Sequence, residues 1–190
     1  EAKTKVAHVV DFRERAPKKA MKDMYLDKKG NVIPDLSVDG GLSVGVPGLV
    51  RGLSYVHKKW GKAKWSKIIQ PSIDMAENGF AIYPSLDGAI GIERETLDKF
   101  TASRKIFLNS NGSKKKLGEI LVQKDLAKSL RSVAENSENF YRGKIAARIA
   151  ATVKKYRGIL TEADLAAYKV KERAPVRASY KDFEVISMSP

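Results

Sequence analysis

Cysteine is absent from all 190 residues, which removes disulfides, thiolate nucleophiles and cysteine-ligated metals from the chemistry this chain can supply. Histidine occurs only at His8 and His57, with no HExxH or similar ligand spacing around either, so the sequence offers no metal site and nothing that calls for a cofactor. No apolar run approaches the ~20 residues of a membrane span. Glu1-Ala2-Lys3-Thr4-Lys5 has no apolar centre of a signal peptide, which leaves a cytosolic protein or one whose export signal was removed or lies upstream. Acidic residues are also scarce, 22 Asp and Glu against 36 Lys and Arg, for a net charge of +14. Such a field draws nucleic acid, anionic lipid or acidic solutes. Yet Lys18-Lys19, Lys58-Lys59, Lys114-Lys115-Lys116 and Lys154-Lys155 are short tracts without interleaved aromatics or a zinc-finger or RNA-binding signature. A solvated face accounts for them, and no nucleic-acid partner is read here.

What is present is a globular composition, 43% hydrophobic and 8% aromatic, in a chain long enough for one ordinary domain. Residues 5–13 read as a strand with a nearly continuous apolar centre, Val6 to Val10, expected to be buried on both faces with sheet partners elsewhere, even outside this chain. A basic helical turn is expected over Lys18 to Tyr25 and a tight turn over Asp27 to Asn31. Gly45-Val46-Pro47-Gly48 should open a helix with Pro47 in its first turn, carrying Leu49, Val50, Leu53, Val56 and Trp60 on one face and ending at Gly61. No Gly-Lys-Ser/Thr follows those glycines, so they are not a phosphate loop. Pro71 should interrupt the next helical run, leaving a turn and a helix from 71 to 78 with Gly79 as its exit.

Further on, a helix over 85–100 is weakened by Gly88 and Gly91, and Lys105 to Lys116 reads as a polar surface loop. Helices follow over 124–135 and 143–156 on apolar periodicity. Thr161-Glu162-Ala163-Asp164 resembles a capping box with a shortened acid and should start a short helix that turns Leu165 inward. The period then changes to two. Val176, Ala178 and Tyr180, then Phe183, Val185 and Ile186, flank Lys181-Asp182 as a β-hairpin.

The stretch with candidate chemistry is Asp11-Phe12-Arg13-Glu14-Arg15-Ala16-Pro17, where charges arrive as the first strand runs out. On charge and position alone, a solvated strand end accounts for it. Taken with Gly45-Val46-Pro47-Gly48-Leu49-Val50-Arg51-Gly52, Gln70 to Phe80, Phe140-Tyr141-Arg142-Gly143, Leu160 to Tyr168, Arg173-Ala174-Pro175-Val176 and Ser187-Met188-Ser189-Pro190, it forms an ordered series of motifs. The series resembles the γ-glutamyltransferases (γ-glutamyl transpeptidases) over nearly the whole chain.

That resemblance implies an α+β chain, mainly helical, forming one segment of the large subunit, 1–190, of an amino-terminal-nucleophile hydrolase with an α/β/β/α sandwich. Within it lie the strand at 5–13, a helical region at 46–168 and the hairpin at 174–188. Such enzymes are autocatalytically processed zymogens, so the implied partner is the small subunit of the same precursor, whose threonine nucleophile is expected beyond Pro190. No catalytic residue is expected in this chain. Arg13 corresponds to the family's arginine for the donor α-carboxylate, a role suited to a planar guanidinium that can give two parallel hydrogen bonds. Glu14 is a candidate to orient it, Arg15 is peripheral, and no cofactor or metal is implied.

The implied reaction transfers or hydrolyses the γ-glutamyl group of glutathione or related compounds through a threonyl ester. Amino acids, peptides or water would be acceptors, and the compartment would be periplasmic or secreted. The competing reading is a non-catalytic helical binding module, or an inactive relative, with a basic partner-binding surface.

Overall fold

The structure, a computed structural model, describes Thr4 and residues 6–188. In chain order its elements are β1 (Val9–Asp11), a 3₁₀ turn (Gly41–Ser43), α1 (Leu49–Trp60), α2 (Trp65–Asn78), β2 (Phe80–Ala81), α3 (Pro84–Ile92), α4 (Arg94–Lys99) and α5 (Thr101–Phe107). They continue with β3 (Ile120–Leu121), α6 (Lys124–Glu135), α7 (Glu138–Tyr141), α8 (Lys144–Lys155), α9 (Glu162–Ala167), β4 (Lys171–Arg173), β5 (Val176–Tyr180) and β6 (Phe183–Ser187). The class is α+β. The backbone divides into two compact units, one from Glu1–Lys62 with Ser137–Pro190 and one from Ala63–Asn136.

In the first unit the core is Val46, Tyr141, Ala146, Val153, Leu160, Leu165 and Tyr168. Helix α8 reaches it because Ala146, partly buried Ile149 and Val153 recur at three- and four-residue steps, one face of a 3.6-residue period. The capping box is present: the Thr161 hydroxyl accepts from the Asp164 N–H at 3.3 Å, and the Asp164 carboxylate accepts the Thr161 N–H at 2.9 Å. These bonds satisfy orphan amides of α9 and set its start, so Leu165 points inward and is fully buried.

Within the expected strand 5–13, whose first residue lies outside the described ones, ladder pairing runs from Val9 to Asp11. Its partner is β4, antiparallel, with Val9 opposite Arg173 and Asp11 opposite Lys171. One neighbour thus lies elsewhere as expected, but inside this chain, and the strand residues are half-buried rather than enclosed on both faces. The helical turn expected over Lys18 to Tyr25 is two separate turns, closed by Ala20 N–H to the Pro17 carbonyl and Met24 N–H to the Met21 carbonyl. Helix α1 begins at Leu49, with Gly48 at its N-cap, so Pro47 stands just outside the first turn. Strands β5 and β6 pair through the Lys181-Asp182 turn, with Lys181 at φ 51°, and every one of their residues is exposed.

In the second unit Pro71 does not interrupt the chain: α2 is continuous from Trp65 to Asn78. An interior proline forfeits one hydrogen bond and costs about 3 kcal/mol. Here Pro71 and Lys67, whose carbonyl it leaves unpaired, both lie on the exposed side, where water can serve that oxygen. Ile73 and Ala76 are buried, and the Trp65 indole N–H donates to the Val133 carbonyl of α6 at 2.9 Å. Gly79 ends the helix at φ 83°.

The break in the expected helix 85–100 falls at Glu93, not at a glycine: α3 runs through Gly88 and Gly91 and α4 follows. The expected loop 105–116 is helical to Phe107, then folds back through a Leu108–Lys114 bridge. Leu108 joins Ile82, Ile90 and Leu121 in this unit's core.

Candidate substrate-binding site

The first unit holds an open cleft of about 610 Å³ lined by Arg13, Glu14, Gly45, Pro47, Gly48 and Leu49, with Val10, Asp11, Phe12 and Met188 completing its wall. Two segments far apart in sequence, 10–14 and 45–49, supply all of this lining but Met188. They are joined by a two-way backbone bridge: the Val46 N–H donates to the Arg15 carbonyl at 2.7 Å, and the Arg15 N–H to the Val46 carbonyl at 3.2 Å. The N-terminal end of α1 forms one wall, so its positive dipole end joins Arg13 in a lining that also holds the Asp11 and Glu14 carboxylates.

Glycines make the close approach possible. A Cβ on Gly48 would stand 2.0 Å from the Phe12 carbonyl oxygen and 2.1 Å from the Tyr168 hydroxyl; one on Gly52 would stand 2.1 Å from the Phe12 ring. Gly48 and Gly52 are four apart and so lie on one side of α1, the side against which Phe12 packs.

Arg13 is held by its backbone and open at its side chain. Its N–H donates to Asp11 Oδ1 at 3.1 Å and its carbonyl accepts the Tyr168 hydroxyl at 2.7 Å. The guanidinium is three-quarters exposed, with Nε 3.4 Å from Glu14 Oε1. Asp11 is anchored in turn, since Arg173 Nε of β4 donates to its Oδ2 at 2.8 Å. The Arg13 N–H, then the Arg173 hydrogen bond, hold the Asp11 carboxyl below its ordinary range, so it is ionised at neutral pH.

The structure thus brings Arg13 and Glu14 into one cleft. Arg15 lies instead beside a separate cavity with Lys18, Val46 and Asp164. Its guanidinium stacks 5.1 Å above the Tyr168 ring and donates to the Lys169 carbonyl at 2.8 Å.

Sequence reasoning passed over Asp11, Gly48 and Tyr168 as determinants of this site. The Asp-x-Arg spacing is a usable signal, because an Asp side chain commonly accepts the N–H two residues on. Tyr168 stands 155 residues from Arg13, and no local rule joins them.

The family described as Gamma-glutamyltranspeptidase matches residues 1–190. The Glutathione hydrolase proenzyme of Escherichia coli is 41% identical over 183 residues, 95% of this chain and 31% of that protein. Among solved structures, Helicobacter pylori γ-glutamyltranspeptidase matches at TM-score 0.94 and 45% identity, covering 96% of this chain and 53% of that one. The γ-glutamyltranspeptidase from Pseudomonas nitroreducens, complexed with L-DON, matches at 0.88 and 34%, with the same coverage. The chain spans about a third of the length of the curated relatives it matches. A family match over residues 1–190, together with solved γ-glutamyltranspeptidase structures that cover 96% of this chain, leads to one assignment: this chain belongs to the γ-glutamyltranspeptidase family.

Proposed function

We propose that the complete protein is a γ-glutamyltransferase and glutathione hydrolase in which this chain supplies the donor-binding wall. Arg13 takes the α-carboxylate of a γ-glutamyl donor as a two-pronged hydrogen-bonding cation. Glu14, beside Nε, orients the guanidinium and leaves its other nitrogens to face the donor. Chemistry is completed outside these residues. A threonine hydroxyl of the small subunit attacks the γ-carbonyl, a γ-glutamyl ester forms with loss of the donor's amine, and water or an acceptor amino acid or peptide resolves it.

Arg13 has no bond to make or break in this scheme. Holding the donor so that its γ-carbonyl meets the nucleophile is itself a large source of rate. The small subunit comes from the same precursor, in keeping with the proenzyme relatives, and we place the protein in the periplasm or outside the cell. Among the described residues, no helix is long and apolar enough to cross a membrane.

The observation that carries this reading is Arg13 itself: an exposed guanidinium on a backbone fixed at both its N–H and its carbonyl, opening on a cleft. In the complete protein, Arg13→Ala should raise KM for γ-glutamyl donors on the order of 10- to 100-fold, the loss of charge-assisted hydrogen bonds of about 1.5–3 kcal/mol. Arg13→Lys should recover part of it. Unchanged donor KM in Arg13→Ala would overturn the assignment.

A further inference from the structure

The Arg13 backbone is reached from the core by an aromatic pair that no local motif announces. Tyr168 and Tyr141 are buried, at 4% and 1% exposure, and their rings stack with centroids 6.1 Å apart. Each sends its hydroxyl to one of the two chain segments that form the cleft. The Tyr168 hydroxyl donates to the Arg13 carbonyl at 2.7 Å. The Tyr141 hydroxyl donates to the Pro47 carbonyl at 3.0 Å and accepts the Arg51 N–H at 2.9 Å, one of the orphan amides of α1.

The pair is itself braced. Arg51 lies 4.3 Å over the Tyr141 ring and pairs with Glu138, and Arg15 covers the Tyr168 ring. Burial pushes both phenols above their ordinary titration range, which keeps each hydroxyl a donor at working pH.

We infer that Tyr168 and Tyr141 form a two-armed clamp that fixes the Arg13 and Pro47 walls of the cleft, and are positioning residues for donor binding. A core could be filled as well by phenylalanine at either place. What the hydroxyls add is a fixed point on each wall: the Arg13 backbone is tied at its N–H to Asp11 and at its carbonyl to Tyr168. Gly48 locks the same junction, since its missing side chain leaves room for the Phe12 carbonyl and the Tyr168 hydroxyl at once. Rotation about the Arg13 backbone bonds would re-aim its side chain, and the clamp opposes that rotation.

This inference rests on the reading of Arg13 as the carboxylate clamp, and its test separates the two. In the complete processed protein, Tyr168→Phe should raise KM for a γ-glutamyl donor roughly 3- to 10-fold, the scale of one neutral hydrogen bond, with kcat within about twofold. Tyr141→Phe should do the same more weakly. In an Arg13→Ala background Tyr168→Phe should add nothing, because the side chain it aims is gone; the double-mutant cycle reads that coupling directly.

An Arg13→Ala variant with normal donor KM sinks the Arg13 reading. If Arg13→Ala raises KM but Tyr168→Phe does not, or if the two effects multiply independently, the clamp alone is wrong. Thermal melts accompany each variant, because a purely structural tyrosine would lower Tm with KM unchanged. Should Tyr168→Phe fail to fold, Tyr141→Phe takes its place in the cycle: coupling to Arg13→Ala supports the clamp, and independent effects or an unchanged KM overturn it.

Discussion

Glu14 and Gly48 flank the proposed donor contact and fail in different ways when changed. Glu14 is well exposed, and its carboxylate sits 3.4 Å from Arg13 Nε; surface pairs of this kind are worth at most about 1 kcal/mol. Glu14→Gln in the complete protein should therefore raise donor KM only a few-fold and leave Tm within experimental scatter, with steady-state kinetics and a melt as the checks. Gly48 has no such tolerance. A methyl group there would meet both the Phe12 carbonyl and the Tyr168 hydroxyl at about 2 Å, against atoms fixed by backbone and by stacking. Gly48→Ala should destabilise by about 1–3 kcal/mol, as overpacking does, and should raise donor KM because relief requires moving the Phe12–Arg13 wall. The residue types at Arg13 and Gly48 were legible in the sequence as members of motifs. That Gly48 serves Arg13 was not, since the reason is a steric contact between residues in separate segments of the chain.

At the scale of elements, local chemistry decided some boundaries and packing decided others. The Thr161–Asp164 box set the start of α9 as its residue pattern implied. Thr161→Ala should cost about 1 kcal/mol, measured by denaturant unfolding. Burial works to raise the Asp164 carboxyl, but hydrogen bonds from Thr161 and the Lys18 N–H outweigh it and hold the group below its ordinary value. A depressed folded-state value means the contribution is complete above the unfolded carboxylate range near ~4 and is lost as pH falls through the folded value. The stability difference between the native protein and Asp164→Asn should therefore be present at neutral pH and shrink below about pH 4, by urea titration across pH. Pro71 is the opposite case. Propensity argued for a break, and tertiary packing of Ile73 and Ala76 with a solvent-facing Lys67 carbonyl carried the helix through.

Across the whole molecule, the second unit is continuous in sequence, Ala63–Asn136, and has its own core of Ile82, Ile90, Leu108 and Leu121. Segments of that kind open as cooperative units. Native-state hydrogen exchange should show the protected amides of α2 and α6 exchanging together, on a different denaturant dependence from those of α8 and α9. The β5–β6 hairpin should be the least protected strand pair, because its residues are all exposed and a lone two-stranded ribbon is marginal in water. If the proposed two-chain assembly is right, exposed Tyr180, Phe183 and Val185 on it should gain protection there, as a hairpin that completes a larger sheet would. Equal exchange in the 190-residue chain and in the complete protein would contradict that.

By itself the sequence determined the class, helical runs between an apolar first strand and a period-two hairpin, and several element positions, α6 and α8 among them, because periodicity and caps are local properties of the chain. It also determined the family, because many short motifs in a fixed order are specific together where each alone is not. Through that family it pointed to Arg13, the residue proposed to hold the donor carboxylate. Only the tertiary structure decided that β1 pairs with β4, that α2 runs through its proline, and that the backbone of Arg13 is held between Asp11 and Tyr168. Those outcomes depend on hydrogen bonds and packing between groups distant in the chain. Their free energies exist only once the segments meet, and no local pattern of residues encodes which segments those are.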